Sequence, residues 1–180
     1  TVRDHKIAKR LGRGASYLDN ALHGEHGLAY QIETIIDGKP HSCLFDFAAD
    51  AQGVMKNMNL LKIDLTKIEA LGISHDHWDH QAAFVEILKA KKEQFHKGIP
   101  LYVGEQFFTG TYARRPDGRV LSFAALNRAE VEALGIVKIV EVKDPAAMIP
   151  GAYLTGKVEQ FTDYEKIPPI FVAKMGNEYV

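Results

Sequence analysis

The chain has 180 residues, 46% hydrophobic and 25% charged, with 22 Lys+Arg against 23 Asp+Glu and a net charge of −1. That length fits one domain; the composition excludes a disordered, collagen-like or repetitive protein, and the balanced charge gives no general attraction to nucleic acid or to an anionic membrane. No apolar run approaches the roughly 18 residues of a membrane span, so the sequence reads as a soluble, cytoplasmic protein.

Residues 1–24 carry Gly12, Gly14, Ser16 and Asn20 without a hydrophobic period and are expected as a loop or short helix ahead of a domain over 25–180. Their basic residues Lys6, Lys9, Arg10 and Arg13 read as a solvated segment, and Gly12-x-Gly14 as a flexible turn rather than a phosphate loop. Residues 27–36 and 41–47 read as two strands flanking the turn Asp37-Gly38-Lys39-Pro40, a β-hairpin. The single cysteine, Cys43, lies in the second of them, which excludes a disulfide framework and points to a buried, inert thiol. Asp50 is placed to cap a helix through Val54, Met55, Met58 and Leu61, whose spacing of three and four buries one face. Asp64 is a second N-cap, for a short helix to Glu69. Leu71-Gly72-Ile73 is then a short strand.

A helix is expected from Gln81 to about His96, with Ala82, Phe84, Val85, Ile87, Leu88 and Phe95 on its apolar side. Residues 100–103 read as a strand, and 115–119 as a turn between two extended pieces. Asn127 opens a helix that Gly135 ends. Residues 136–143 form a further strand, and 151–156 begin another. Strands and helices alternate, so the class is α/β. The sequence opens at Thr1 and closes on an apolar strand and turn over 168–180, so it reads as a piece of a longer chain; a removed targeting peptide fits the opening as well.

Between the short strand and the long helix stands Ser74-His75-Asp76-His77-Trp78-Asp79-His80, the one dense cluster of metal-ligand residues. Chance placement would produce its His-x-His-x-Asp-His pattern with a probability on the order of one in a thousand. In an extended loop residues two apart point to the same side, so His75 and His77 can bind one ion together. Asp79 and His80, at the turn into the helix, face a second. Imidazole and carboxylate without thiolate suit Zn²⁺ best, with Fe or Mn as the other candidates. The plainer alternative is a polar helix start capped by Asp76 or Asp79, with three exposed imidazoles.

This loop, after a short strand and before a helix, resembles the signature of the metallo-β-lactamase superfamily. The likeness extends to the hairpin from Glu25-His26-Gly27-Leu28-Ala29 to Cys43-Leu44-Phe45-Asp46, and to residues 62–69 ahead of the loop. Residues 149–156 resemble the branch named after a methanopterin-pathway dihydropterin synthase. The resemblance implies a metallo-β-lactamase-like αββα sandwich, incomplete in this chain. It makes His75 and His77 first-metal ligands and Asp79 and His80 second-metal ligands, with Asp79 also orienting the metal-bound water. Asp46 becomes the strand-end aspartate that supports the metal loop from behind. His26 is then expected near the loop as a packed supporting histidine, and Trp78 as an aromatic wedge beside the metals. Ala48 stands where the family usually has Gly, so a different turn is expected there. Gly104-Glu105 stands where the branch often has His. The family's further histidines and bridging aspartate are expected beyond Val180, since His96, the only histidine after His80, sits at the end of a basic, solvent-facing helix.

One or two bound zinc ions would supply a hydroxide nucleophile at neutral pH. The reading is therefore a metal-dependent hydrolase of a small, phosphorylated or pterin-like molecule. A non-catalytic metal-binding or assembly element is the reading from another class. The absence of a basic groove counts against a nuclease of the same superfamily. Arg114 and Arg115, near Tyr112, read as an exposed loop pair rather than an anion clamp. Missing sandwich layers would leave apolar sheet surface bare, to be covered by further residues or by a partner copy in a homo-oligomer.

Overall fold

The computed structural model describes residues 20–180 apart from 124, 160, 165 and 177. The basic run and Gly12-x-Gly14 fall outside the described residues. Residues 20–24 carry no helix or strand. The first hairpin joins β1 (Ala29–Ile36) to β2 (Lys39–Phe47) antiparallel. Its turn is tighter than the four residues expected, because Asp37 and Gly38 both take positive φ, 51° and 74°. That pair suits the two-residue turn whose twist matches the strands, so Lys39 and Pro40 join β2.

Asp50 caps α1 (Ala51–Leu60), its Oδ1 accepting from Gln52 N at 3.0 Å. Asp64 caps only a 3₁₀ turn, Leu65–Lys67, before β3 (Ile68–Gly72). Beyond the loop that follows come the short helices α2 (Trp78–Gln81) and α3 (Phe84–Ala90). Of the single helix expected over 81–96, only Phe84–Ala90 is α-helical, with a 3₁₀ turn at Lys92–Gln94, and α2 is broken off from it. In a continuous helix Ala83 N would donate to Asp79 O. Here Asp79 O accepts from Leu28 N at 3.1 Å, and Ala83 N donates to Ala48 O at 3.3 Å. Leu28 and Ala48, which flank β1 and β2, have taken the helix's own backbone groups, which no helix-period pattern could reveal.

β4 (Ile99–Gly104) follows, then the small pair β5 (Tyr112–Arg114) and β6 (Val120–Ser122), and α4 (Arg128–Ala133), where Asn127 Oδ1 accepts from Glu130 N. β7 (Val137–Val142) completes a five-stranded sheet of order β1-β2-β3-β4-β7, parallel from β2 onward. β8 (Ala146–Ile149) was not anticipated; it pairs with β9 (Ala152–Leu154) through the Pro150-Gly151 turn. Short strands β10 (Phe171–Val172), β11 (Lys174–Met175) and β12 (Glu178–Tyr179) end the chain, β10 pairing with β5.

Alternation along the central strands sends side chains to two cores. Leu44, Phe47, Ile68, Leu71, Ile99 and Leu101 pack with Phe84, Ile87 and Leu88 on the helical face. Cys43 and Ala70 pack with Met148 and Ile149 of the β8–β9 hairpin on the other. The fold is α/β, with one helical layer and a two-stranded cover on the opposite face among the described residues. Tyr30, Ile35 and Tyr153 are exposed. No helix among the described residues is long and apolar enough to cross a membrane.

Cys43 is fully buried, and burial, with Glu69 adding to it, pushes its thiol up to about 11. The thiolate is the reactive form, so native protein should not react with a thiol-exchange dye at neutral pH, and should release one equivalent on denaturation. Native-state reaction at the rate of a free cysteine would contradict this burial.

Candidate metal centre

Parallel strands present their carboxyl ends at one sheet edge, where ligands bind in α/β folds. β2 delivers Asp46 to that edge and β3 delivers the loop 74–80 beside it. Asp46 is 3% exposed and sits at φ 60°, with Ala48 at φ 54°. Left-handed backbone costs a residue with a Cβ roughly 1–2 kcal/mol. Ala48 therefore holds a conformation that a glycine would take freely.

The strained turn aims the Asp46 carboxylate into the loop. Its Oδ1 accepts from Ser74 N at 2.7 Å. Its Oδ2 accepts from Ser74 Oγ at 2.9 Å and from His80 Nδ1 at 2.7 Å. Ser74 Oγ also lies 2.9 Å from His75 Nδ1. The serine has one hydroxyl proton, and an ionised carboxylate can only accept. Ser74 thus donates to Asp46, and His75 Nδ1 donates to Ser74. Both His75 and His80 then carry their protons on Nδ1, leaving each Nε2 with a free lone pair.

The three imidazoles pack closely: His75 lies 4.4 Å from His77 and 4.2 Å from His80 between ring centroids. Partial desolvation by the side chains around it first, and the neighbouring His80 and His77 next, hold the exposed His75 below the ordinary imidazole range, which favours the neutral form that ligates metals. Asp79 Oδ2 is 3.8 Å from His80 Nε2. The structure therefore brings His75, His77, Asp79, His80 and Asp46 together. Neutral imidazoles, a carboxylate and fixed outer partners are the donor chemistry of a zinc-type ion. Among the described residues no group of three or more such side chains is already gathered tightly enough to enclose an ion, so binding requires side-chain rearrangement of His75, His77, Asp79 and His80.

The surroundings differ in part from expectation. His26 does reach the loop, with Nε2 3.4 Å from Asp79 Oδ2, yet its side chain is 80% exposed rather than packed. Trp78, 39% exposed, stacks on His26 with ring centroids 5.6 Å apart. The ring set against the cluster is Phe171, 5.6 Å from His77. Ser74 went unassigned in the sequence although it adjoins the pattern; a hydroxyl beside the first histidine was its only local signal. Asp76 is buried, and the desolvation of its carboxyl, only partly offset by Leu126 N–H, raises it to about 6. Thr111 donates to the Asp76 carbonyl, tying the β5–β6 excursion to the loop. His96 is exposed and lines a cleft with Asp64, Lys67 and Ile68 at the start of β3, away from the site. Arg114 donates to Tyr179 O, a structural contact.

Gly27 marks the closest approach in the site: a Cβ there would meet Asp79 O at 2.8 Å and the Ala48 Cβ at 3.0 Å. Neither neighbour is a flexible side-chain end. Gly27→Ala should therefore destabilise by about 1–3 kcal/mol, read as a lower denaturant midpoint at unchanged slope. An unchanged midpoint would show the approach to be looser.

No family model matches the chain. It is 30% identical over 158 residues to 7,8-dihydropterin-6-methyl-4-(β-D-ribofuranosyl)-aminobenzene-5′-phosphate synthase of Methanocaldococcus jannaschii, an alignment covering 85% of this chain and 51% of that protein. The chain thus spans about half the length of the curated relative it matches. Among solved structures it is similar to MEM-A1, a subclass B3 metallo-β-lactamase from a soil metagenome library, with a TM-score of 0.38, 13% identity and coverage of 71% of this chain and 48% of that one. A B3 metallo-β-lactamase with an active-site glutamic acid gives a TM-score of 0.39 and 12% identity, covering 76% of this chain and 53% of that one. Over 158 residues the chain is thus similar to the dihydropterin synthase, and its described residues form an α/β fold.

Proposed function

We propose that the chain carries the metal-binding part of a metallo-β-lactamase-like hydrolase acting on a small, phosphorylated or pterin-like molecule. The observation that supports this most is the shared fixing of His75 and His80: Asp46 and Ser74 occupy both Nδ1 positions and leave both Nε2 atoms free. His75, His77, Asp79 and His80 would hold one or two zinc ions, with Fe or Mn as alternatives. When bound, such an ion acidifies a water and polarises the bond under attack.

The chain's own residues do the remaining work. Asp46 stabilises one orientation of His80 and, through Ser74, of His75. Asp79, whose Oδ2 faces both His26 and His80, takes a hydrogen bond from the attacking water and orients it. The substrate class follows the name of the relative, which joins a dihydropterin to a phosphorylated ribosyl-aminobenzene. That relative is a synthase, which favours transfer to an acceptor other than water as a second reading.

The alternative from another class is a non-catalytic metal-binding or assembly element. Zinc-loaded protein, assayed by mass spectrometry against a panel of phosphate esters and pterin diphosphates, separates the readings. Turnover to a hydrolysed product that Asp79→Asn abolishes is expected. Turnover only with an added amine acceptor would establish the synthase reading, and zinc binding without any turnover the non-catalytic one.

A further inference from the structure

Residues 25–28 touch both halves of the candidate centre. Leu28 N donates to Asp79 O at 3.1 Å, while Leu28 O accepts from Ala48 N at 2.8 Å. Gly27 is wedged between the same two residues. Glu25 reaches furthest: its Oε2 accepts from Ala49 N at 3.2 Å and Asp50 N at 2.8 Å. Those N–H groups come directly after the left-handed turn that carries Asp46 and Ala48. Strained backbone persists only where surrounding contacts over-determine it. Asp50 is engaged elsewhere: its Oδ1 accepts from Gln52 N inside α1, and its Oδ2 lies 3.4 Å from His23 Nε2. Glu25 Oε1 is meanwhile buried with no hydrogen-bond partner among the described residues, so the carboxylate is withdrawn from water to make these two bonds.

We propose that Glu25 is a positioning residue for His80: its carboxylate locks the turn at 46–48 and thereby keeps Asp46 aimed at His80 Nδ1. Glu25 touches none of the four candidate ligands and acts only through Asp46. A plain cap on α1 would stabilise the helix and leave His80 unaffected. A positioning residue changes the proton placement on His80 and, with it, metal affinity. The effect on metal affinity rests on the metal-site reading above; the effect on His80 does not.

The test uses metal-free protein at about pH 8, where imidazoles are neutral, and reads the ring nitrogens by long-range ¹H–¹⁵N correlation. In the wild type His80 should be the Nδ1-protonated tautomer. Glu25→Ala should release it to a mixture of tautomers and lower Co²⁺ affinity about tenfold. Glu25→Gln, which keeps an acceptor oxygen, should restore both. A folded Glu25→Ala protein with the wild-type His80 signals would overturn the proposal. Should the alanine variant fail to fold, Glu25→Asp, one methylene too short, replaces it: release of His80 in Asp but not in Gln is expected, and wild-type signals in both overturn the proposal. If the wild type takes up no Co²⁺, the metal reading fails while the tautomer readout still decides the role of Glu25.

Discussion

Asp46→Ala should weaken zinc binding by about 10–100-fold and destabilise the fold by about 2–4 kcal/mol. Three donors lose their acceptor at once: Ser74 N, Ser74 Oγ and His80 Nδ1. Water can reach Ser74 and partly replace its bonds, but nothing else among the described contacts holds His80 Nδ1 as closely; the next, Ser74 Oγ, lies 3.3 Å away. The freed imidazole can then protonate on either nitrogen, which removes the lone pair from Nε2 in a share of molecules. Asp46→Asn separates charge from shape. The amide oxygen can still accept one bond, so the stability loss should be smaller while the affinity loss remains. Zinc competition with a chromophoric chelator, beside urea denaturation, checks both numbers. Equal zinc affinity in wild type and Asp46→Ala would remove Asp46 from the site.

Phe84→Ala should cost about 3–5 kcal/mol, a large share of the roughly 5–15 kcal/mol that holds a domain folded. Phe84 is fully buried and packs edge-on against Phe47, with ring centroids 4.8 Å apart at 73°. It also opens α3, directly after the residue whose N–H is given to Ala48. Its ring therefore joins the restarted helix to the strand end that carries Asp46. A cavity there cannot collapse easily, because Leu44, Ile87 and Leu88 are held by their own strand and helix. Urea unfolding should show the midpoint falling steeply; a loss under about 1 kcal/mol would mean the core repacks around the gap.

What the sequence made legible was governed by neighbours in the chain. Asp50, Asp64 and Asn127 each cap the turn they were expected to cap, because a short side chain finds an N–H two or three residues on. Asp37-Gly38 makes its hairpin for the same local reason. The gathering of His75, His77, Asp79 and His80 beside Asp46 was readable from the dense pattern and its family likeness.

Contacts across long sequence separations stayed hidden. The break between α2 and α3 comes from Leu28 and Ala48, which lie far from Asp79 and Ala83 in sequence. The stacking of Trp78 depends on a partner, His26, on another segment. Glu25 was visible as part of the likeness, but its two backbone partners exist only once the turn after β2 has taken its left-handed form. β8 escaped because Ala146–Ile149 is short, and its partner strand lies across the Pro150-Gly151 turn.

The most direct test of the central claim is the zinc content of the purified chain after loading and desalting, beside that of a His75→Ala/His77→Ala double variant. About one to two zinc ions per wild-type chain, with loss of at least one in the folded double variant, is the predicted result. A folded wild-type chain that retains no stoichiometric zinc, or a double variant that retains as much as the wild type, would contradict the metal centre built on His75, His77, Asp79 and His80.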